Sequence, residues 1–190
     1  MSYGPALALA VALGVAKATG PMKALDLAAG SGVWGIALAQ QSAHVSVTAV
    51  DWPNVLSVTR KIAEREGVAD RFSYIGGDLA EADFGDGYDI ATLGHILHSE
   101  GEERSRALLK KTGAALAPGG TIAIAEFLVD ADRRGPMNGL IFAVNMLVNT
   151  EHGSTYSFDE IAGWLTEAGF TNPRQLPGPG PSPLILATRG

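Results

Sequence analysis

The chain has 190 residues, 46% of them hydrophobic and 18% charged, enough for one globular domain with a sizeable core. A formal net charge of −6 and the lack of a basic stripe argue against nucleic acid as a partner. The absence of cysteine excludes disulfides, thiol catalysis and cysteine metal sites, and a cytoplasmic location is expected.

Residues 4–18, rich in Ala and Leu, predict a helix that Gly20-Pro21 breaks. Its apolar part, Pro5–Ala16, has no basic lead and is too short to span a bilayer, so neither a signal peptide nor a membrane segment is expected. A buried strand follows over 23–28, then the turn Gly30-Ser31-Gly32, then a helix over 32–42. Strand, glycine turn and helix together present free backbone N–H groups to a ligand. Gly30, Gly32 and Gly35 also satisfy the G-x-G-x-x-G dinucleotide pattern.

The acids steer that reading elsewhere. Asp26 lies in the strand end, placed to accept hydrogen bonds from the turn and to face a cationic ligand; a pyrophosphate would be repelled there. Asp51 ends a second strand, Val45–Val50, where a ribose diol would be gripped. Asp78 follows a third strand over 71–76. Three acids at the ends of successive strands suit a ligand with a ribose, an adenine amine and a positive charge. S-adenosylmethionine has all three.

Between these strands, Trp52-Pro53 opens a helix over 53–66, with Pro53 at its first position. Glu81–Gly87 is an acidic loop, and a fourth strand runs Tyr88–Leu93. A polar turn with His95 and His98 leads to a helix over 101–116, whose early acids and late bases suit the helix dipole. Pro118-Gly119-Gly120 is a turn before a fifth strand, Thr121–Phe127, and residues 136–149 form an unusually apolar helix. Ser157 and Glu160 make a capping box for a helix that runs to about Ala168 and stops at Gly169. Strands Phe170–Gln175 and Leu184–Thr188 flank a turn at Pro177–Pro183. Alternating strands and helices imply an α/β fold with a mostly parallel sheet, and the final pair implies one antiparallel strand.

DLAAGSGVWG, AVDWPNV, GGDL, LGHILHSEGEERSRALLKK and APGGTIAIAE, in that order, resemble the class I S-adenosylmethionine-dependent methyltransferases. The nearest group is the O-methyltransferases that include plant phenolic and bacterial small-molecule enzymes. The resemblance runs from about Pro5 to the C-terminus. It implies a Rossmann-like seven-stranded sheet in the order 3-2-1-4-5-7-6 with helices on both faces. It also implies methyl transfer to a hydroxyl of a small aromatic or polyketide-like acceptor.

The resemblance places the general base at His98 and an orienting acid at Glu126. The cofactor contacts it supports are Asp26, Gly30, Gly32, Asp51, Trp52, Asp78 and Leu79, with Gly94 where plant members carry a cofactor-contacting lysine. Met146 and Asn149, with Asn145, are candidates for the acceptor pocket. The pattern departs from the plant one: Ser99 and Glu100 replace the Asp-Trp after the histidine, and Thr155 stands in place of a second acid. A metal held by His95, His98 and Glu100 is not expected, since no third histidine lies near.

The family's N-terminal dimerisation domain has no counterpart in this sequence, which is read as the C-terminal catalytic domain alone, with homodimerisation expected. Two alternatives stand beside this reading. One is an NAD-dependent Rossmann oxidoreductase resting on Gly30, Gly32, Gly35 and Asp51, against which Asp26 and the missing Tyr-x-x-x-Lys pair argue. The other is a non-catalytic or repurposed S-adenosylmethionine-binding domain, kept open by the altered acids.

Overall fold

In the computed structural model, which describes residues 2–176 and 182–190, seven strands form one sheet in the order β3-β2-β1-β4-β5-β7-β6. The strands are β1 (Met22–Leu27), β2 (Val45–Asp51), β3 (Phe72–Gly76), β4 (Tyr88–Gly94), β5 (Leu116–Ala125), β6 (Phe170–Leu176) and β7 (Leu184–Arg189). The first five run parallel, and β7 is antiparallel to both β5 and β6. The helices are α1 (Tyr3–Ala12), α2 (Val33–Gln41), α3 (Pro53–Arg65), α4 (Leu97–Ala115), α5 (Met137–Asn149) and α6 (Phe158–Glu167).

Side-chain alternation along the buried strands builds the two faces. Leu25 and Leu27 of β1, with Leu93 and Ile122, pack under Leu109 of α4 and Ile161 and Leu165 of α6. Ala24, Val47 and Ala49 point the other way, against Ile36 and Leu38 of α2 and Leu56 and Ala63 of α3. Each fully buried Leu or Ile contributes about 1.5–3 kcal/mol from area removed from water, so this double core sets the sheet before any ligand is considered. Among the described residues no helix is long and apolar enough to cross a membrane.

Several expectations shift. The helix foreseen over 4–18 ends at Ala12, because Gly14 sits at φ 65° and the chain restarts as a 3-10 turn, Val15–Lys17. The helix foreseen over 101–116 begins earlier, at Leu97, and Gly101 (φ 79°, ψ 168°) interrupts it. His98 therefore lies in a first helical turn rather than in a loop. β5 begins at Leu116, and Pro118-Gly119-Gly120 bulges from it, since Leu116 pairs with Tyr88 and Thr121 with Ile90. The capping box forms as read: Ser157 Oγ accepts from Glu160 N–H and Glu160 Oε2 accepts from Ser157 N–H. Of the turn read at Pro177–Pro183, residues 177–181 lie outside the described ones.

Candidate active site

In an open parallel sheet, ligands bind beyond the carboxyl ends of the strands. There, β1 ends in the glycine turn, with Gly30 at φ 56° and Gly32 at φ 76°. Three side chains hold this turn from beneath and from the sides. Asp51 Oδ2 accepts from Gly30 N–H at 2.8 Å, Thr59 Oγ1 donates to Gly30 O at 2.6 Å, and Asp26 Oδ2 accepts from Gly35 N–H at 3.0 Å. A Cβ on Gly32 would stand 2.7 Å from Thr59 Cγ2, so glycine lets α3 close on the turn. Beside Gly30 a Cβ would find only Ala28 O, at 3.9 Å, which leaves that backbone open to a ligand.

Asp26 needs correction as a ligand-facing acid. It is fully buried, with Oδ1 bonded to Thr92 Oγ1 at 2.8 Å and Oδ2 to Gly35, so it anchors the turn instead of facing the crevice. Burial pushes its carboxyl up to about 7, against the opposing pull of those two hydrogen bonds. A Cβ on Gly94 would collide with the buried Trp34 indole, so glycine there makes room for α2.

Asp51, Trp52, Asp78 and Leu79 do converge, lining one crevice with Ala28 and Arg104. Trp52 is 55% exposed, so it is not a core aromatic, and its ring is free to stack. Both Asp51 oxygens accept backbone N–H groups, from Gly30 and Trp52, so the acid is pre-oriented while each oxygen keeps a second lone pair. The N–H of Ala80, donated to the carboxylate, is the main influence holding Asp78 below the usual carboxylate range. Arg104 bridges Asp78 and Glu100 on the rim; as an exposed pair this contributes about 0–1 kcal/mol and yields to a ligand. Open glycine backbone, oriented acids and an exposed indole fit an adenosyl sulfonium.

At the ends of β4 and β5 a second set forms. His98 Nδ1 lies 2.7 Å from Glu126 Oε2, while Glu126 Oε1 accepts from the N–H of Leu97 at 2.8 Å. Both side chains are nearly buried. The His98 ring meets Phe142 edge-on at 4.8 Å, Phe142 stacks on Phe127 at 4.3 Å, and Phe127 lies 5.2 Å from His95. This aromatic wall was not foreseen. Phe127 was legible as the neighbour of Glu126, whereas Phe142 has no local signal and is brought in by α5. Burial pushes the pKa of His95 down, against the opposing pull of the nearby Glu126 carboxylate.

The acceptor-pocket candidates both lie on α5, the helix that carries Phe142, with Met146 one turn along from it. Met146 is buried within the fold, and Asn149 is exposed, its Nδ2 donating to Asn145 Oδ1 and O on its own helix. Thr155 is buried next to Ser154, whose N–H donates to His98 O at 2.9 Å, and its Oγ1 has no partner among the described residues. Ser99 Oγ donates to Ile96 O, and Glu100 accepts from Arg104.

Comparison with known proteins bears on the same crevice. The O-methyltransferase domain family model matches residues 6–171. The 3-hydroxy-5-methyl-1-naphthoate 3-O-methyltransferase of Streptomyces sahachiroi is 31% identical over 173 residues, covering 90% of this chain and 50% of that protein. A crystal structure of a candidate O-methyltransferase from Nostoc punctiforme superposes with a TM-score of 0.92 at 32% identity, over 100% of this chain and 57% of that one. Human N-acetylserotonin methyltransferase in complex with S-adenosylmethionine superposes at 0.82 and 25% identity, over 98% of this chain and 51% of that one. The chain thus spans about half the length of the relatives it matches.

Proposed function

Because the chain belongs to the O-methyltransferase domain family, we propose that it uses S-adenosylmethionine to methylate a hydroxyl of a small aromatic or polyketide-like acceptor, with His98 as general base. The observation that carries this reading is the 2.7 Å His98–Glu126 pair, set at the strand ends beside the glycine-turn crevice. When bound, the cofactor supplies an electrophilic methyl group on a sulfonium that leaves readily.

The chain's own residues do the rest. Asp51 and Asp78 offer oxygens to hydroxyl and amine groups, Trp52 offers a face, and Gly30 offers open backbone. Glu126, fixed by the N–H groups of Leu97 and His98, accepts from Nδ1 of His98 and so directs Nε2 outward as the basic nitrogen. The acceptor hydroxyl gives its proton to that Nε2, and the oxygen is left with the electron pair that methylation needs. Phe127 and Phe142 offer a flat acceptor ring an apolar wall. The exposed apolar residues of α5 support self-association, and the net charge of −6 argues against nucleic acid. The family match leaves the nicotinamide reading without support.

Methyl-labelled S-adenosylmethionine, offered with a panel of phenolic and polyketide hydroxyls, tests this directly. Label should pass to an acceptor oxygen, and His98→Ala should lower the rate by about 10²–10⁴-fold while cofactor affinity stays unchanged. Unchanged turnover in that variant removes His98 from the mechanism. Binding of NAD without S-adenosylmethionine sinks the whole reading.

A further inference from the structure

The ends of β4 and β5 gather more than a base and its orienting acid. One ligand atom each of His95, His98 and Glu126 lies within 4.8 Å of the other two. Two independent observations single out His95, which methyl transfer as described does not use. Its backbone stands at φ 64°, in the left-handed region that only a few per cent of residues other than glycine occupy, though histidine enters it more readily than most. Its Nδ1 is buried without a hydrogen-bond partner among the described residues, and a buried polar atom left this way needs an explanation.

We propose that His95, His98 and Glu126 form a seat for one divalent transition metal of the zinc class. Two imidazoles and a carboxylate are the three-ligand set that zinc takes where a fourth position stays open. Around such an ion ligand atoms stand roughly 3–3.5 Å apart, so the three groups need only small side-chain adjustments. Glu126 Oε1 is already tied to the N–H groups of Leu97 and His98, the outer hydrogen bonding that orients a ligating carboxylate. On binding at Nδ1, the ion displaces the proton that His98 gives to Glu126 Oε2, and that proton moves to His98 Nε2, which keeps the imidazole neutral. The ligand set is wrong for magnesium, which demands oxygen donors in an octahedron. The consequence for catalysis rests on the His98 reading above: a histidine held by zinc is no longer an oriented base, so zinc switches turnover off.

The test is made first without cofactor or acceptor. Zinc is titrated by calorimetry and cobalt(II) is followed by its visible absorption, with magnesium as control. One ion should bind per chain. His95→Asn, chosen because asparagine tolerates the left-handed backbone, should weaken zinc binding by roughly a hundredfold with melting temperature retained. His152→Ala should change nothing, since that ring is exposed beside Glu151. No saturable zinc uptake, or a His95→Asn affinity within about tenfold of the parent, overturns the seat. Turnover measured in chelator keeps the two ideas apart. A chain that works through His98 yet binds no zinc loses only the seat, and one that binds zinc while His98→Ala still turns over loses only the base.

Discussion

On the cofactor side of the crevice the groups that shape the glycine turn are tied down, with Gly30 N–H on Asp51, Gly30 O on Thr59 and Gly35 N–H on Asp26. On the acceptor side, α5 buries only Gly139 and Met146 of its 13 residues, and Met137, Ile141, Val144, Leu147 and Val148 stand exposed. Two buried polar atoms there, His95 Nδ1 and Thr155 Oγ1, have no partner among the described residues. A ligand of constant chemistry is met by backbone fixed in advance, at the cost of a buried acid. On the proposed function, an aromatic acceptor is met by ring faces on an element with few buried residues, the low-stability end of a fold.

The comparison can be strained from each side. The largest effect expected is on the stability of the cofactor side. Asp26 stands near 7 when folded and near 3.8 when unfolded, so the native state holds the extra proton between those values. Stability therefore falls as pH rises from 4 to 7, by as much as about 4 kcal/mol, and levels off above. Asp26→Asn should remove that slope, read as the difference between two denaturant series. A difference that is flat from pH 4 to 7 shows that burial does not control this acid.

On the acceptor side, Glu126→Gln keeps the contacts to Leu97 and His98 N–H but no longer stabilises the charged imidazole. It should lower kcat by roughly a hundredfold, about 2.7 kcal/mol, and shift the pH profile of the rate. An unshifted profile would reduce Glu126 to a structural strut. The smallest effect is at the crevice mouth. Trp52→Ala should raise the cofactor Kd about three- to tenfold, from about 0.5–1.5 kcal/mol of lost stacking. Because the ring is exposed, the melting temperature should not move. A fall in melting temperature instead would mean that the indole serves packing.

The same division runs through what could be read beforehand. The glycine turn, the strand-end acids and the capping box at Ser157 were legible because each depends on residues close in sequence. Thr59 and Thr92 were not, since they reach Gly30 and Asp26 across 29 and 66 positions respectively. Asp26 shows the limit: its place at a strand end was visible, but its total burial comes from α2 closing over β1 through Gly35, where a Cβ would lie 2.6 Å from Val47 Cγ1. The helix stop at Gly14 was missed because its positive φ is not announced by its neighbours, and the helical turn Leu97–Glu100 was missed although the boundary at Gly101 was placed.

By itself the amino-acid order determined the alternation of elements, the sheet order through its family likeness, and which residue types stand at the strand rims. Hydrophobic periodicity and turn chemistry act over a few residues, so the linear chain carries them whole. Only the tertiary structure decided which rim acids face the crevice and which lie beneath it. It also decided that His98 lies against Phe142 and that His95 joins His98 and Glu126. Those outcomes depend on burial and on distances between separate elements, and both exist only once the two faces of the sheet have closed.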